Sequence, residues 1–211
     1  MREILQVRWH VAPLETPRLW LHCGRCGTWT PFVCSEKFRI NAQKKRLDAW
    51  LIYRCAHCDQ TWNCPLFERC RVTDIDPAVL HAMTVNGAEL AGRYAFDLNL
   101  LKRHSKRIEA CADVAVGKHL SGEPIDGPRW IVISMAMPLS CGLRLDRLLA
   151  AELRLSRHTV RQLHEAAALT VSSPGRAALK QAVRDGQTVT IDLSLIDAAP
   201  DLRETILGSV L

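Results

Sequence analysis

No apolar run in this sequence approaches the roughly 20 residues that cross a bilayer. The longest candidate, residues 130–139, is interrupted by Ser134, so no membrane association is expected. The first ten residues carry Arg2, Glu3, Arg8 and His10 in place of the apolar core of a secretory signal peptide. A cytoplasmic location is the expectation. Internal repeats and low-complexity tracts are absent. So are a Gly-rich phosphate loop, a His-Glu-x-x-His pair and a nucleophile elbow, which removes the commonest signatures of nucleotide, metallopeptidase and hydrolase chemistry. His158 and His164 stand six residues apart on one expected helix, a spacing that puts them on different faces and builds no shared site.

What is present suits a folded chain. Its 211 residues, 48% hydrophobic and 24% charged, can bury a core without disulfide staples and suggest one or two domains. Nine cysteines is an odd number. In a reducing compartment they read as metal ligands plus buried thiols. The net charge of +6 is uneven: residues 1–70 hold 11 basic and 6 acidic side chains, residues 71–141 hold 8 of each, and residues 142–192 hold 8 and 5. The last 19 residues, 193–211, hold 1 and 3, so the C-terminus is expected as a tail and not as a basic nucleic-acid arm.

The fold class expected is α+β. Short β-like runs over residues 5–11, 19–22, 37–41 and 49–54, separated by Pro, Gly and charge, predict a small antiparallel β domain over residues 1–70. From Asp76, with Pro77 at a first helical position, Leu80, Met83, Leu90, Tyr94, Leu98 and Leu101 follow helical spacing. A second helix over residues 105–120 completes a helical spacer, residues 71–120. Two Gly and two Pro in residues 121–128 mark a linker and a plausible domain boundary. A buried strand over residues 130–137 opens the last module, residues 129–192, and two amphipathic helices and strand-like runs follow it.

Two Cys-x-x-Cys turns, Cys23 with Cys26 and Cys55 with Cys58, each end a β-like run. Two intervening residues let both sulfurs of a turn face one point, and two such turns complete the tetrahedron that Zn²⁺ prefers. Gly24 and Gly27 suit the tight backbone around thiolate sulfur. A structural zinc ion held by Cys23, Cys26, Cys55 and Cys58 is the expectation, with unpaired thiols or redox chemistry as the alternative. The arrangement resembles a zinc ribbon, in which four protein ligands leave no open position for a catalytic water. His22, His57, Cys34 and Cys64 lie close in sequence and read as packed or surface side chains.

Between the turns, Lys37, Arg39, Lys44, Lys45 and Arg46 put five cations in ten residues. Such a finger can contact phosphates, or be a solvated hairpin. Trp9, Trp20, Trp29, Trp50 and Trp62 place five of the six tryptophans in the first 62 residues. Most should pack the small sheet; one or two exposed rings would serve as a protein hot spot or a base-stacking platform.

In the C-terminal module Leu145, Leu148 and Leu149 share one helix face, and Ser156 caps a second helix that carries Val160 and Leu163. Arg157 and Arg161 stand at that helix's positive end, a place for phosphate. Arg144, the leucines after it, Ser156, Arg157, Leu163, residues 169–171 and residues 186–191 together resemble the S-four RNA-binding domain. That module is named for a small-subunit ribosomal protein and occurs in pseudouridine synthases, tyrosyl-tRNA synthetases and ribosome-rescue factors. The resemblance implies an α/β module of two helices packed on a small sheet, with structured RNA contacted by Arg144, Ser156, Arg157, Arg161 and Lys180. The sequence departs from the pattern at Ala167, where a turn glycine is usual, and at residues 171–175, where a Val-Asn-Gly hairpin is usual. A different backbone is expected at Ala167, because alanine resists a positive φ. Over the chain, residues 2–9, the first cysteine turn, residues 48–58 and residues 61–64 resemble a bacterial family known as a domain of unknown function, DUF1062, a resemblance that implies no activity.

The reading that absorbs most of these features is a non-enzymatic, zinc-containing RNA-binding protein acting on ribosomal or transfer RNA or the ribosome. The alternative is a protein-binding adaptor that docks its zinc ribbon and helical segment on a larger machine, and an enzyme comes third. For the RNA reading, changing Arg157 and Arg161 to Glu is expected to spare the fold, as exposed helix charges contribute about 1 kcal/mol or less.

Overall fold

The computed structural model describes residues 3–111, 113–122, 127–172, 177–196 and 199–207. The described residues form two five-stranded sheets and six α-helices, in keeping with a mixed α and β fold. The chain packs as two compact units, residues 15–111 and residues 1–14 with 112–211.

Alternation builds the first strand, β1 (Ile4–Pro13), in which Leu5, Val7, Trp9 and Val11 are buried and the residues between them exposed. β1 does not join the cysteine-bearing sheet, as a domain of residues 1–70 requires. It pairs antiparallel with β7 (Val114–Leu120) and parallel with β8 (Trp130–Ala136), so residues 15–111 are an insertion between β1 and β7.

Inside the insertion, β2 (Arg18–Cys23), β3 (Thr28–Gln43), β4 (Arg46–Cys55), β5 (Thr61–Arg71) and β6 (Ile108–Glu109) form an antiparallel sheet in the order β5-β4-β3-β2-β6. Every second residue of β4, from Leu47 to Cys55, is buried. Helices α1 (Pro77–Thr84), α2 (Ala88–Ala95) and α3 (Leu98–Lys102) supply Met83, Leu90, Ala91, Ala95 and Leu101 to cover that face. Asp76 caps α1 by accepting the Ala78 amide at 2.7 Å, with Pro77 at the first helical position as expected. The helical run then breaks twice: Asn86 takes a left-handed φ of 54° before Gly87, and Asp97 caps α3.

The helix expected over residues 105–120 does not form. Residues 108–109 pair with β2, and residues 114–120 pair with residues 7–13 of β1. The valines at 114 and 116 suit a pleated surface, and β1 offers an edge that a helix would leave unpaired. The linker expected at residues 121–128 is no boundary between the two units, which exchange at residues 14–15 and 111–112; residues 123–126 within it lie outside the described residues.

The second sheet runs β7-β1-β8-β10-β9, with β9 (Leu169–Val171) and β10 (Thr188–Asp192). The strand expected over residues 130–137 is β8, whose Ile131, Ile133 and Met135 are buried. The two expected amphipathic helices are α4 (Leu145–Glu152) and α5 (Arg157–Glu165), joined through Arg154 at a left-handed φ of 54°. Leu145, Leu148, Leu149 and Val160 all lie in the core. The residues expected as a C-terminal tail include α6 (Ala199–Leu207), which is packed and not free: Leu202 and Ile206 are buried, and Trp9 donates its Nε1–H to the Ile206 carbonyl at 3.1 Å. Lys118 ties the same region together, giving its ammonium to the Glu152 carboxylate at 2.8 Å and to the Thr205 carbonyl at 2.9 Å. Lys118 also donates to the Glu152 carbonyl at 3.3 Å, and the Glu152 and Thr205 carbonyls sit at the last turns of α4 and α6, where helix ends want cations.

Candidate functional site

β2 and β4 end on Cys23 and Cys55, and each cysteine opens a tight turn. Gly27 closes the first by donating its amide to the Cys23 carbonyl at 2.8 Å with φ at +69°. Asp59 closes the second on the Cys55 carbonyl at 3.0 Å with φ at +59°. The two turns therefore share one backbone shape, although only the first has the glycine that makes it inexpensive. β3 and β4 pair in register at Phe32 and Cys55, which draws the turns to one end of the sheet.

The result is a four-sulfur cluster. The Sγ atoms of Cys23, Cys26, Cys55 and Cys58 lie within 4.8 Å of one another, so the four can hold a metal ion. Cys23 Sγ is 3.5 Å from Cys58 Sγ, and Cys26 Sγ is 3.9 Å from Cys55 Sγ. Polar hydrogens point at two of the sulfurs: the Cys26 amide at Cys23, and the Thr30 hydroxyl, 3.2 Å away, together with the His57 amide at Cys55. Burial pushes the Cys55 thiol up, but the Thr30 hydroxyl and the His57 amide outweigh it and leave the thiol at about 6. The Cys26 amide likewise draws Cys23 down. Cys26, whose proton is shared with Cys58, is pushed up to about 12. Four thiols so close do not all ionise unaided, and a bound cation is what displaces the remaining protons. Cys64 is buried and Cys34 half-buried, and burial raises both, to about 12 and about 11. Neither belongs to the cluster, nor do the exposed His22 and His57.

The basic finger is the β3–β4 hairpin. Lys44 and Lys45 form its two-residue turn, both with positive φ, 46° and 62°, between the paired Gln43 and Arg46. All five of its cations are exposed, but they do not form one patch. Lys37 sits in a bulge and Arg39 lies 5.9 Å from the Trp50 ring centre. Arg46 donates to the Arg69 carbonyl at 3.0 Å.

In the other unit, the residues expected to meet RNA converge. An open cleft of about 730 Å³ is lined by Arg144, Arg157, Arg161 and Lys180, with Asp146, His158, His164 and Glu165 among them. His158 and His164, which helical spacing separates, line the same cleft because α5 forms its wall. Ser156 is a cap and not a lining residue: its hydroxyl accepts the Thr159 amide at 3.0 Å. Asp146 organises the cations. Arg144 gives Nε to Oδ1 at 3.1 Å and Nη2 to Oδ2 at 2.7 Å, while Arg157 gives Nε and Nη2 to Oδ2 at 3.2 and 2.7 Å. The carboxylate is 10% exposed and the two arginines 43% and 55%, so the guanidiniums are anchored from below and open above. Burial alone would raise the Asp146 carboxyl; the Arg157 and Arg144 hydrogen bonds prevail and hold it below its ordinary range.

Arg157, expected as an exposed helix charge whose change spares the fold, is also a partner of a buried carboxylate. Sequence reading passed over Asp146 because an acid inside a basic stretch looks like an internal counter-charge; its signal was a position two residues after Arg144 on a buried helix face. An expectation does fail at Ala167, which adopts φ +58° after α5. The turn keeps the shape a glycine gives it, at a conformational cost. Of the altered hairpin at residues 171–175, residues 173–175 lie outside the described residues.

No helix is long and apolar enough to cross a membrane among the described residues. Neither the curated proteins nor the solved structures hold a match to the chain. A family profile does match, over residues 40–174, which takes in Lys44, Lys45 and Arg46 of the basic finger, the second cysteine turn and most of the α4–α5 module, and the chain belongs to that family, described as protein of unknown function (DUF1062).

Proposed function

We propose that this chain is a non-enzymatic, zinc-containing RNA-binding protein of the cytoplasm, whose cleft on α4 and α5 grips structured RNA of the ribosomal or transfer class. The observation that carries the reading is the cleft itself. Four cations and two histidines surround it against two carboxylates, and one of those carboxylates holds two arginines in fixed poses with their outer N–H groups free of it. Fixed guanidinium forks suit phosphate oxygens, because the ordering is complete before the ligand arrives. Two helices on a sheet that includes β9 and β10 are also what the S-four-like reading requires.

Zinc is the ion we assign to the cysteine cluster of a ribbon-like domain. A Zn–S distance of about 2.3 Å in a tetrahedron sets S···S edges near 3.8 Å, and two of the separations here, Cys23 to Cys58 at 3.5 Å and Cys26 to Cys55 at 3.9 Å, bracket that value. Four thiolates leave no site for a reacting water, so the ion is structural. Purified protein is expected to carry about one zinc per chain, measured by atomic emission, and Cys23→Ser or Cys58→Ser to lose it. A preparation free of metal with an unchanged melting curve would overturn the assignment.

The RNA test uses Arg161→Glu with Lys180→Glu, because neither side chain touches Asp146. Affinity for a folded RNA should fall, and the dependence of log K on log salt should flatten by about 0.7–0.9 per phosphate contact removed. A double variant that binds as tightly as the parent at low and high salt would favour the adaptor reading.

A further inference from the structure

The sheet of residues 15–111 has two faces, and α1–α3 cover one of them. On β4, Leu47, Ala49, Leu51, Tyr53 and Cys55 point to the helices, so Trp50, Ile52 and Arg54 point the other way. Strand register then fixes their neighbours on that outer face. Arg39 stands opposite Trp50 and Val33 opposite Arg54; Pro31 stands opposite Trp20, and Trp29 opposite His22. Three tryptophans and three arginines share the surface once Arg107 is added, whose guanidinium lies 3.7 Å from the Trp20 ring centre.

Core packing does not explain these rings. Trp9, by contrast, is fully buried, and Trp62 packs edge-on against His104 beside the core. Trp29 is 62% exposed, held upright by an edge contact with His22 at 6.2 Å, three residues beyond Cys26. Trp20 and Trp50 are half-buried, each with an arginine at its face.

We infer that this outer face binds single-stranded nucleic acid, with unpaired bases stacking on Trp29, on the Arg107 guanidinium over Trp20, and on Trp50. Aromatic faces and planar guanidiniums are the surfaces on which single-stranded bases stack, and neighbouring cations take the phosphates. From the Trp29 row to the Trp50 row is eight residue steps along β3 and then β4, about 26 Å at ~3.3 Å per residue, room for the four or so nucleotides of the smallest such sites.

Charge selects nucleic acid over a protein partner, whose hot spots also favour Trp and Arg. Besides the three arginines, Arg46 and Arg71 stand opposite each other at the end of the same sheet. Two acids stand beside them: Glu109 accepts the Trp20 Nε1–H at 3.2 Å, and Asp48 accepts the Arg69 amide at 2.7 Å. The five arginines outnumber these two carboxylates, so the face is cationic around its apolar rings. A duplex, with its base faces hidden in the stack, would gain only the charge.

The inference does not rest on the cleft, whose residues lie in the other unit, and the experiment separates them. Zinc-loaded full-length protein is titrated with a labelled short oligouridylate and with a duplex RNA of equal length. The oligouridylate should quench tryptophan fluorescence more than the duplex does, should bind more tightly than the duplex once Arg161→Glu and Lys180→Glu weaken the cleft, and should bind about five- to a hundred-fold more weakly to Trp29→Ala, the range that loss of one stacked base implies. Trp29→Phe should keep most of the affinity and Arg54→Glu should lose it. Arg161→Glu with Lys180→Glu should leave oligouridylate binding unchanged while weakening folded RNA. Failure of the oligouridylate to bind at low salt overturns the inference, as does equal affinity in Trp29→Ala and the parent, or, in the Arg161→Glu, Lys180→Glu protein whose cleft is weakened, a duplex bound as tightly as the single strand.

Discussion

Asp146 sits at the base of the cleft with two guanidiniums on its carboxylate, and its protonation reports on the whole arrangement. Its folded pKa is depressed. The stability it contributes is therefore fully present above the unfolded carboxyl value of about 3.9 and is lost as pH falls through the lower folded value. Urea midpoints of the parent should drop on acidification below about pH 4, and Asp146→Asn should show less of that drop. An identical acid limb in both proteins would mean that the arginines do not hold the carboxylate in solution. Tyr53 presents the opposite case. It is fully buried beside Cys34 and Cys64, and its hydroxyl has no partner among the described residues; burial raises its pKa, so it stays neutral. Its desolvation is uncompensated, and Tyr53→Phe should raise stability by about 1 kcal/mol in urea titration with zinc content unchanged. None of this could be read in the sequence, where an aspartate among arginines and a tyrosine on a strand look ordinary. The four cysteines could be, because their spacing is itself the geometry.

At the scale of elements, turns and helix ends carry the strain. Ala167 holds a left-handed φ of +58° after α5, and Lys44 and Lys45 hold two in succession at the tip of the β3–β4 hairpin. The hairpin shape is a type I′ turn, where Asn-Gly is the usual choice. Ala167→Gly should stabilise the protein by about 1 kcal/mol, since the left-handed penalty for alanine exceeds the entropy that glycine adds to the unfolded chain. A lower melting temperature in that variant would show that the observed φ is relaxed by something other than backbone sterics. Changing Lys44 to Asn and Lys45 to Gly should likewise stabilise the hairpin. If the tip lysines meet phosphate, the same variant should bind RNA more weakly, a stability gain opposed to a functional loss. Elements with a local code were legible: the alternation of β1, the Asp76–Pro77 start of α1, the leucine face of α4 and the Ser156 cap of α5. Residues 105–120 were not, because Ile108, Val114 and Val116 fit either period and the deciding partner, β1, lies a hundred residues away in sequence.

At the scale of the molecule, the chain makes β1, leaves for 97 residues, 15–111, and returns to pair β7 with β1. Departure and return are neighbours. Pro13 is opposite Val114, and the Leu14 amide donates to the Asp113 carbonyl at 3.2 Å. At the insertion's own ends, Cys111 Sγ lies 3.0 Å from the Glu15 carbonyl. Each unit has its own sheet and its own buried residues, Leu51, Tyr53 and Leu101 in one and Ile131, Leu149 and Ile191 in the other. Insertions of this kind succeed where the termini of the inserted part lie close together. A chain in which residues 15–111 are replaced by an Asn-Gly turn should therefore fold, with β7 following β1 as an ordinary hairpin. On the proposed zinc assignment, the excised unit should fold only with the metal, because in a small domain a structural ion supplies part of the folding free energy outright. In the intact protein, a chelator should then erase amide protection in β2–β5 while β1, β8 and β10 stay protected, as hydrogen exchange followed by mass spectrometry would show. Loss of protection in both sheets at once would mean that the units share one cooperative transition, and the hairpin-closed chain should in that case fail to fold.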